Sequence, residues 1–93
     1  MVYQILPYTY QKAKQLGVKV FPSDNPKYKL EVYDFYGNFI TYSGDSKYLD
    51  FPHYIKNRGL EYANERRRLY RIRHAKDIKN LGSRGYYSSE LLW

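Results

Sequence analysis

The chain has 93 residues, with 16 lysines and arginines against nine aspartates and glutamates, a net charge of +7 and no cysteine. Disulfides are therefore excluded and the usual zinc cages nearly so. A chain this short buries only about 60–65% of its unfolded surface, so contacts with a partner are the remaining source of extra stability.

In chain order, "TYQKAKQL" from Thr9 to Leu16 has a threonine cap, helix-forming residues and the terminal Gly17 expected of a short helix. In "GVKVFPS", Val18 and Val20 alternate with Lys19, which predicts a short strand stopped by Pro22. "PSDNP" between two prolines reads as a loop. "YKLEVYDFYGNFITYS" then predicts a hairpin over roughly 28–43, with Leu30 and Val32 on one face, Glu31 and Tyr33 on the other, and Gly37 with Asn38 supplying positive φ in the turn. Asp50 is placed to cap a short helix over about 51–57, with Pro52 tolerated in its first turn and Gly59 near its end.

Residues 60–81, "LEYANERRRLYRIRHAKDIKNL", hold neither Gly nor Pro and predict one long helix. At 100° per residue Tyr62, Leu69 and Ile72 fall on one side, and Asn64, Arg67, Arg68, Arg71 and His74 on the other. The expected packing sets this helix against the hairpin through Leu30, Val32, Ile40, Leu69 and Ile72. After Gly82, "SRGYYSSELLW" reads as a flexible glycine pair and a small tail. Its closing Leu91, Leu92 and Trp93 are expected to be docked, since exposing each forfeits roughly 1.5–3 kcal/mol of burial. They fit either the chain's own core or, as an anchor, a neighbouring protein. The fold class predicted is α+β in one domain over 1–93: a short N-terminal helix, a small antiparallel hairpin sheet, a long basic amphipathic helix and a docked tail.

Nothing in the sequence pairs a nucleophile with a base, frames a phosphate-cradling loop or clusters metal ligands, so the expectation is no enzyme, no cofactor and no small-molecule substrate. His53 and His74 lie far apart, and neither is read as having a carboxylate or second histidine at ligand spacing. No apolar run approaches the ~18–20 residues that span a bilayer. The opening "MVYQILPYTY" lacks a signal-peptide layout, which predicts a soluble protein that is intracellular at least where it is made.

Charge is concentrated. Residues 58–79 carry Arg58, Arg66, Arg67, Arg68, Arg71, Arg73, Lys76 and Lys79 against Glu61, Glu65 and Asp77, which accounts for +5 of the total +7. Arg67, Arg71 and His74, spaced i, i+4, i+7, line up to meet phosphates or carboxylates, and a solvated face is the third reading. The preference for arginine favours fixed bidentate partners. Thirteen tyrosines are spread along the chain, too evenly for one base-stacking platform, and are expected mainly to complete a small core and line contacts.

The stretches "YQKAKQLGVKVFPS", "YKLEVYDFYGNFI", "DFPHYIKNRGLEYANERRRLYRIRHAKD" and "GSRGYYSSELLW" together resemble a family of small, basic, uncharacterised proteins encoded by large DNA viruses, including nucleocytoplasmic large DNA viruses. The most specific parts are "RRRLYRIRHAKD" and the ending G-x-x-G-Y-Y, here "GSRGYY", with "LLW". The resemblance implies a viral origin and no particular activity. Two functions then compete, and the first is ranked ahead of the second. The first is a minor capsid or cementing component of the virion, binding larger viral structural proteins through tyrosine-rich and arginine-rich surfaces. The second is a protein that binds nucleic acid to condense or package the genome. In both, Arg66, Arg67, Arg68, Arg71, Arg73 and His74 form the expected polyanion or partner surface, and Leu91, Leu92 and Trp93 the expected anchor.

Overall fold

The computed structural model describes residues 3–93 and is α+β, with five helices and one three-stranded antiparallel sheet among them. The order is α1 (Pro7–Leu16), β1 (Lys19–Pro22), β2 (Tyr28–Tyr33), β3 (Phe39–Asp45), α2 (Phe51–Arg58), α3 (Leu60–Arg73), α4 (Ala75–Lys79) and α5 (Arg84–Leu92). Proline at the first helical position starts α1, so the expected Thr9 cap is corrected. Thr9 is instead inside the helix and buried, where its hydroxyl donates to the Leu91 carbonyl (2.9 Å) and ties α1 to the end of α5.

The sheet has strand order β1-β2-β3, and its register sorts the side chains into two faces. Val20, Val32 and Thr41 form one cross-strand row, and Pro22, Leu30 and Ser43 the next; both face the core, where Leu30 and Val32 are fully buried. The opposite face carries Phe21, Glu31 and Tyr42 in one row and Lys19, Tyr33 and Phe39 in the next, with a bulge between Val32 and Tyr33. The β2–β3 turn is held by the Asp34 carboxylate, which accepts from the Tyr36 and Asn38 amides at 2.9 and 2.8 Å. Gly37 alone takes positive φ there, so Asn38 does not serve as expected.

Asp50 caps α2 as predicted, accepting from the His53 amide at 3.1 Å. It also sits in a buried polar knot. The Tyr3 hydroxyl donates to Oδ2 (2.5 Å), the Lys29 ammonium reaches the same oxygen (3.1 Å), and His53 Nδ1 lies 2.8 Å from Oδ1. One carboxylate thereby joins the N-terminal segment, β2 and α2. Burial pushes the Asp50 carboxyl up, but the Lys29 charge and the hydrogen bonds from Tyr3 and His53 outweigh it and hold the group below the usual range. Burial also lowers the Lys29 ammonium against the opposing pull of Asp50, and burial with the Asp50 charge pushes the Tyr3 phenol far up.

Three expectations are corrected here. The helix predicted over 60–81 is interrupted at His74 (φ −110°, ψ 25°), where the ring folds back onto Tyr70 and pairs with Asp77. The expected packing of that helix on the hairpin through Leu69 and Ile72 is absent, since those side chains are 38% and 63% exposed. Instead α3 buries Ala63 and Tyr70 and lies against α2, with Arg66 and Arg67 covering Tyr54 and Phe51. Periodicity that scores arginine as outward-facing misplaces the buried stripe, because long guanidinium stems cover aromatic surface well. Finally, the predicted tail is helix α5, capped by the Ser83 hydroxyl (3.1 Å to the Tyr86 amide) and packed between α1 and β3. Ser88 stitches it to the sheet, 2.8 Å from the Ser43 hydroxyl and accepting from the Gly44 amide at 2.9 Å.

Candidate functional site

The six sequence-selected cations divide between two sides of α3. Arg67, Arg68 and Arg71 border a shallow outer hollow with Asn64, Ile72 and Ala75. Arg66, Arg73 and His74 line a separate cleft of about 630 Å³ whose far wall is built from β2, β3 and α5. His74 therefore leaves the row it was expected to share with Arg67 and Arg71, because the break after Arg73 turns it inward.

The guanidinium groups are held but largely unneutralised. Among the described residues Arg68 is the one arginine of the 58–73 segment paired with a carboxylate, Glu65, at 2.6 Å. Arg58, Arg66 and Arg67 rest over the rings of Tyr62, Tyr54 and Phe51, with the Arg67 guanidinium carbon 4.0 Å from the Phe51 centroid. Stacking fixes the plane of a guanidinium and leaves its N–H edge available, which suits bidentate contact with phosphate or carboxylate oxygens. Arg67 uses one donor on Asn64 Oδ1 (3.1 Å).

Across the cleft, Arg84 from α5 is fixed in the same manner. Its Nε donates to the Tyr42 carbonyl (3.2 Å), one terminal nitrogen to the Tyr28 hydroxyl (2.8 Å), and its plane covers the Tyr28 ring. Lys29 also borders the cleft but is engaged by Asp50. Asp45 and Asp77 are the carboxylates on the wall, and Asp77 is turned toward His74 Nδ1 at 3.1 Å. The Arg66 Nε is buried without a hydrogen-bond partner.

The floor is aromatic. His74, Tyr70 and Trp93 form a continuous stack, with centroids 4.3 and 4.4 Å apart. Leu91, Leu92 and Trp93 are thus buried in the chain's own core, the first of the two places expected for them, rather than left as an anchor for a neighbouring protein; Leu92 and Trp93 also form part of the cleft wall. Both histidines do have a carboxylate three positions away, His53 with Asp50 and His74 with Asp77, which corrects the reading from spacing.

Sequence reasoning missed Arg84, Tyr28 and Asp45, which reach the cleft only through tertiary packing. It also missed that Phe21, Tyr33, Phe39 and Tyr42 touch in series on the outer sheet face, and that Tyr42 stacks on Tyr28. These rings come from three strands, so an even spread along the sequence does not imply an even spread in space. No described helix is long and apolar enough to cross a membrane. No protein-family model, curated protein or solved structure matches the chain.

Proposed function

We propose that this chain is a non-enzymatic nucleic-acid-binding protein of a large DNA virus, which contacts the phosphate backbone through the outer row of α3. The observation that carries this reading is the combination of concentrated charge and missing carboxylates: Arg67 and Arg71 border one hollow, and no described acidic side chain pairs with either. A solvated face gains little from a guanidinium stacked as Arg67 is on Phe51, whereas neighbouring guanidiniums without carboxylate partners, as at Arg67 and Arg71, suit successive phosphates. Burial of the closing residues also removes the hydrophobic anchor that favoured a capsid role.

The test is the salt dependence of duplex binding. Each phosphate neutralised contributes a slope of roughly −0.9 in log K against log salt, so Arg67→Gln with Arg71→Gln flattens the slope by about two units while the melting transition stays cooperative. A parent protein with no salt-dependent binding to duplex or single strands ends this reading.

A second reading, a minor capsid or cementing component that binds larger virion proteins, is favoured by a different observation. The open sheet face presents contiguous rings with Phe21 and Phe39 about half exposed, and the adjoining turn exposes Phe35 and Tyr36. Contiguous exposed apolar surface marks protein interfaces.

A further inference from the structure

We propose that the cleft between α3 and α5 is a nucleotide site, in which Arg66, Arg73 and Arg84 take a phosphomonoester and Tyr48 with Leu49 at the rim take the base. The inference extends the nucleic-acid reading to residues away from the outer row, and it stands separately from it where the ligand is a free nucleotide.

Three features support a ligand of this class. First, an N–H that is buried and unpartnered costs on the order of 1–3 kcal/mol, and the Arg66 Nε is such a group on a side chain that borders the cleft. That Nε is itself occluded, but Arg66 has no carboxylate partner among the described residues, so an anion in the cleft meets an uncompensated charge. Second, Arg84 is held by the Tyr42 carbonyl and the Tyr28 hydroxyl, and Arg73 has no carboxylate partner among the described residues, so two more guanidiniums open on the same space. Asp45 and Asp77 oppose them, with Asp77 engaged by His74, so three guanidiniums face two carboxylates and the excess of positive charge suits an anionic ligand. Third, a cleft of about 630 Å³ lies within the range of roughly 300–1,000 Å³ typical of organic-ligand sites and exceeds the needs of a bare phosphate. Tyr48 and Leu49, both exposed at the rim, supply apolar surface for the remainder of the molecule.

Trp93 is the single tryptophan of the chain and forms part of the cleft wall, so its fluorescence reports occupancy directly. The full-length protein is titrated with dAMP, deoxyadenosine, inorganic phosphate, and oligodeoxythymidine with and without a terminal phosphate. The expected result is a saturable change with dAMP that is at least about tenfold tighter than with deoxyadenosine, because charge-assisted contacts are lost without the phosphate. Inorganic phosphate binds more weakly than dAMP. Arg73→Gln, at an exposed position, and Arg66→Gln each weaken dAMP by about tenfold, with a melting curve confirming the fold. A terminally phosphorylated oligonucleotide that outcompetes its hydroxyl counterpart identifies strand ends as the source, whereas dAMP binding without that preference identifies free nucleotide. Equal binding of dAMP and deoxyadenosine, no response below about 1 mM, or unchanged dAMP affinity in both variants overturns the proposal. Loss of duplex binding in the Arg67/Arg71 variant with dAMP binding intact separates this site from the backbone-binding row.

Discussion

The Tyr70 ring lies flat on the indole of Trp93, with centroids 4.4 Å apart and planes 8° from parallel. This contact joins the arginine-bearing α3 to the residue that ends α5, and α5 in turn is bonded to α1 through Thr9 and to β3 through Ser88. The position of Arg66 and Arg73 on the cleft therefore depends on the docking of the last residues of the chain. Trp93→Ala is expected to cost about 3–5 kcal/mol, the usual loss for truncating a buried aromatic side chain, and deletion of 91–93 to abolish cooperative melting. Chemical denaturation measures the first and calorimetry the second; an unchanged midpoint in either variant contradicts the packing described.

The Asp50 knot predicts an acid limb. Its folded carboxyl titrates below the ordinary value of about 3.9, so its contribution to stability is fully present above that pH and is lost as pH falls through the lower folded value. Denaturation of the parent is expected to show stability declining below about pH 4. Asp50→Asn keeps a capping side chain but leaves the Lys29 ammonium buried without its counter-charge, at a cost of about 3–5 kcal/mol near neutrality. The same variant has a flatter acid limb. A steep limb retained in the variant assigns acid sensitivity to other carboxylates.

Gly44 and Gly37 provide a matched pair. Both have positive φ, but a Cβ at Gly44 comes within 2.5 Å of Leu92 Cδ1 and 3.3 Å of the Lys29 stem, while one at Gly37 meets nothing within 4 Å. Gly37→Ala carries only the left-handed backbone strain, roughly 1–2 kcal/mol. Gly44→Ala adds displacement of a buried leucine, about 1–3 kcal/mol more, and opens the α5–β3 seam. Thermal midpoints of the two variants read the difference, and equal losses would show that α5 is not seated on Gly44.

The parts of the fold that depend on local rules were legible in the sequence. Asp50 followed by Pro52 marked α2, and the alternation about Leu30 and Val32 gave both the hairpin and its buried face. What failed depended on neighbours distant in sequence. The helix α5 begins with a glycine in its first turn, which lowers intrinsic propensity, but at Gly85 a Cβ would collide with the Asp77 side chain from α4. The absence of a side chain there serves packing rather than flexibility. Likewise Arg66 and Arg67 looked solvent-facing because their charge dominates any hydropathy pattern, whereas their stems and planes complete an interface with α2. The arginine cluster was visible in the sequence. Its division into an outer row and an inner cleft was not, since that follows from the break at His74 and from Arg84 arriving on α5.

The outer sheet face yields the last prediction. Phe21 and Phe39 are each about half exposed and touch Tyr33 from opposite strands, so their rings contribute edge-to-face contact but little core burial. Such pairs are worth roughly 0.5–1.5 kcal/mol, and replacing both phenylalanines with serine is expected to lower stability by about 1–2 kcal/mol while leaving the fold and the salt dependence of nucleic-acid binding unchanged. If this face is where a larger virion protein seats, the same variant is lost from assembled particles although it still binds nucleic acid. The two surfaces lie on different elements, the sheet and α3, so the two proposed roles are separable by substitution. Incorporation equal to that of the parent protein, measured by quantitative mass spectrometry of particles assembled with each, argues against a docking role for these rings and leaves the arginine surfaces as the proposed site.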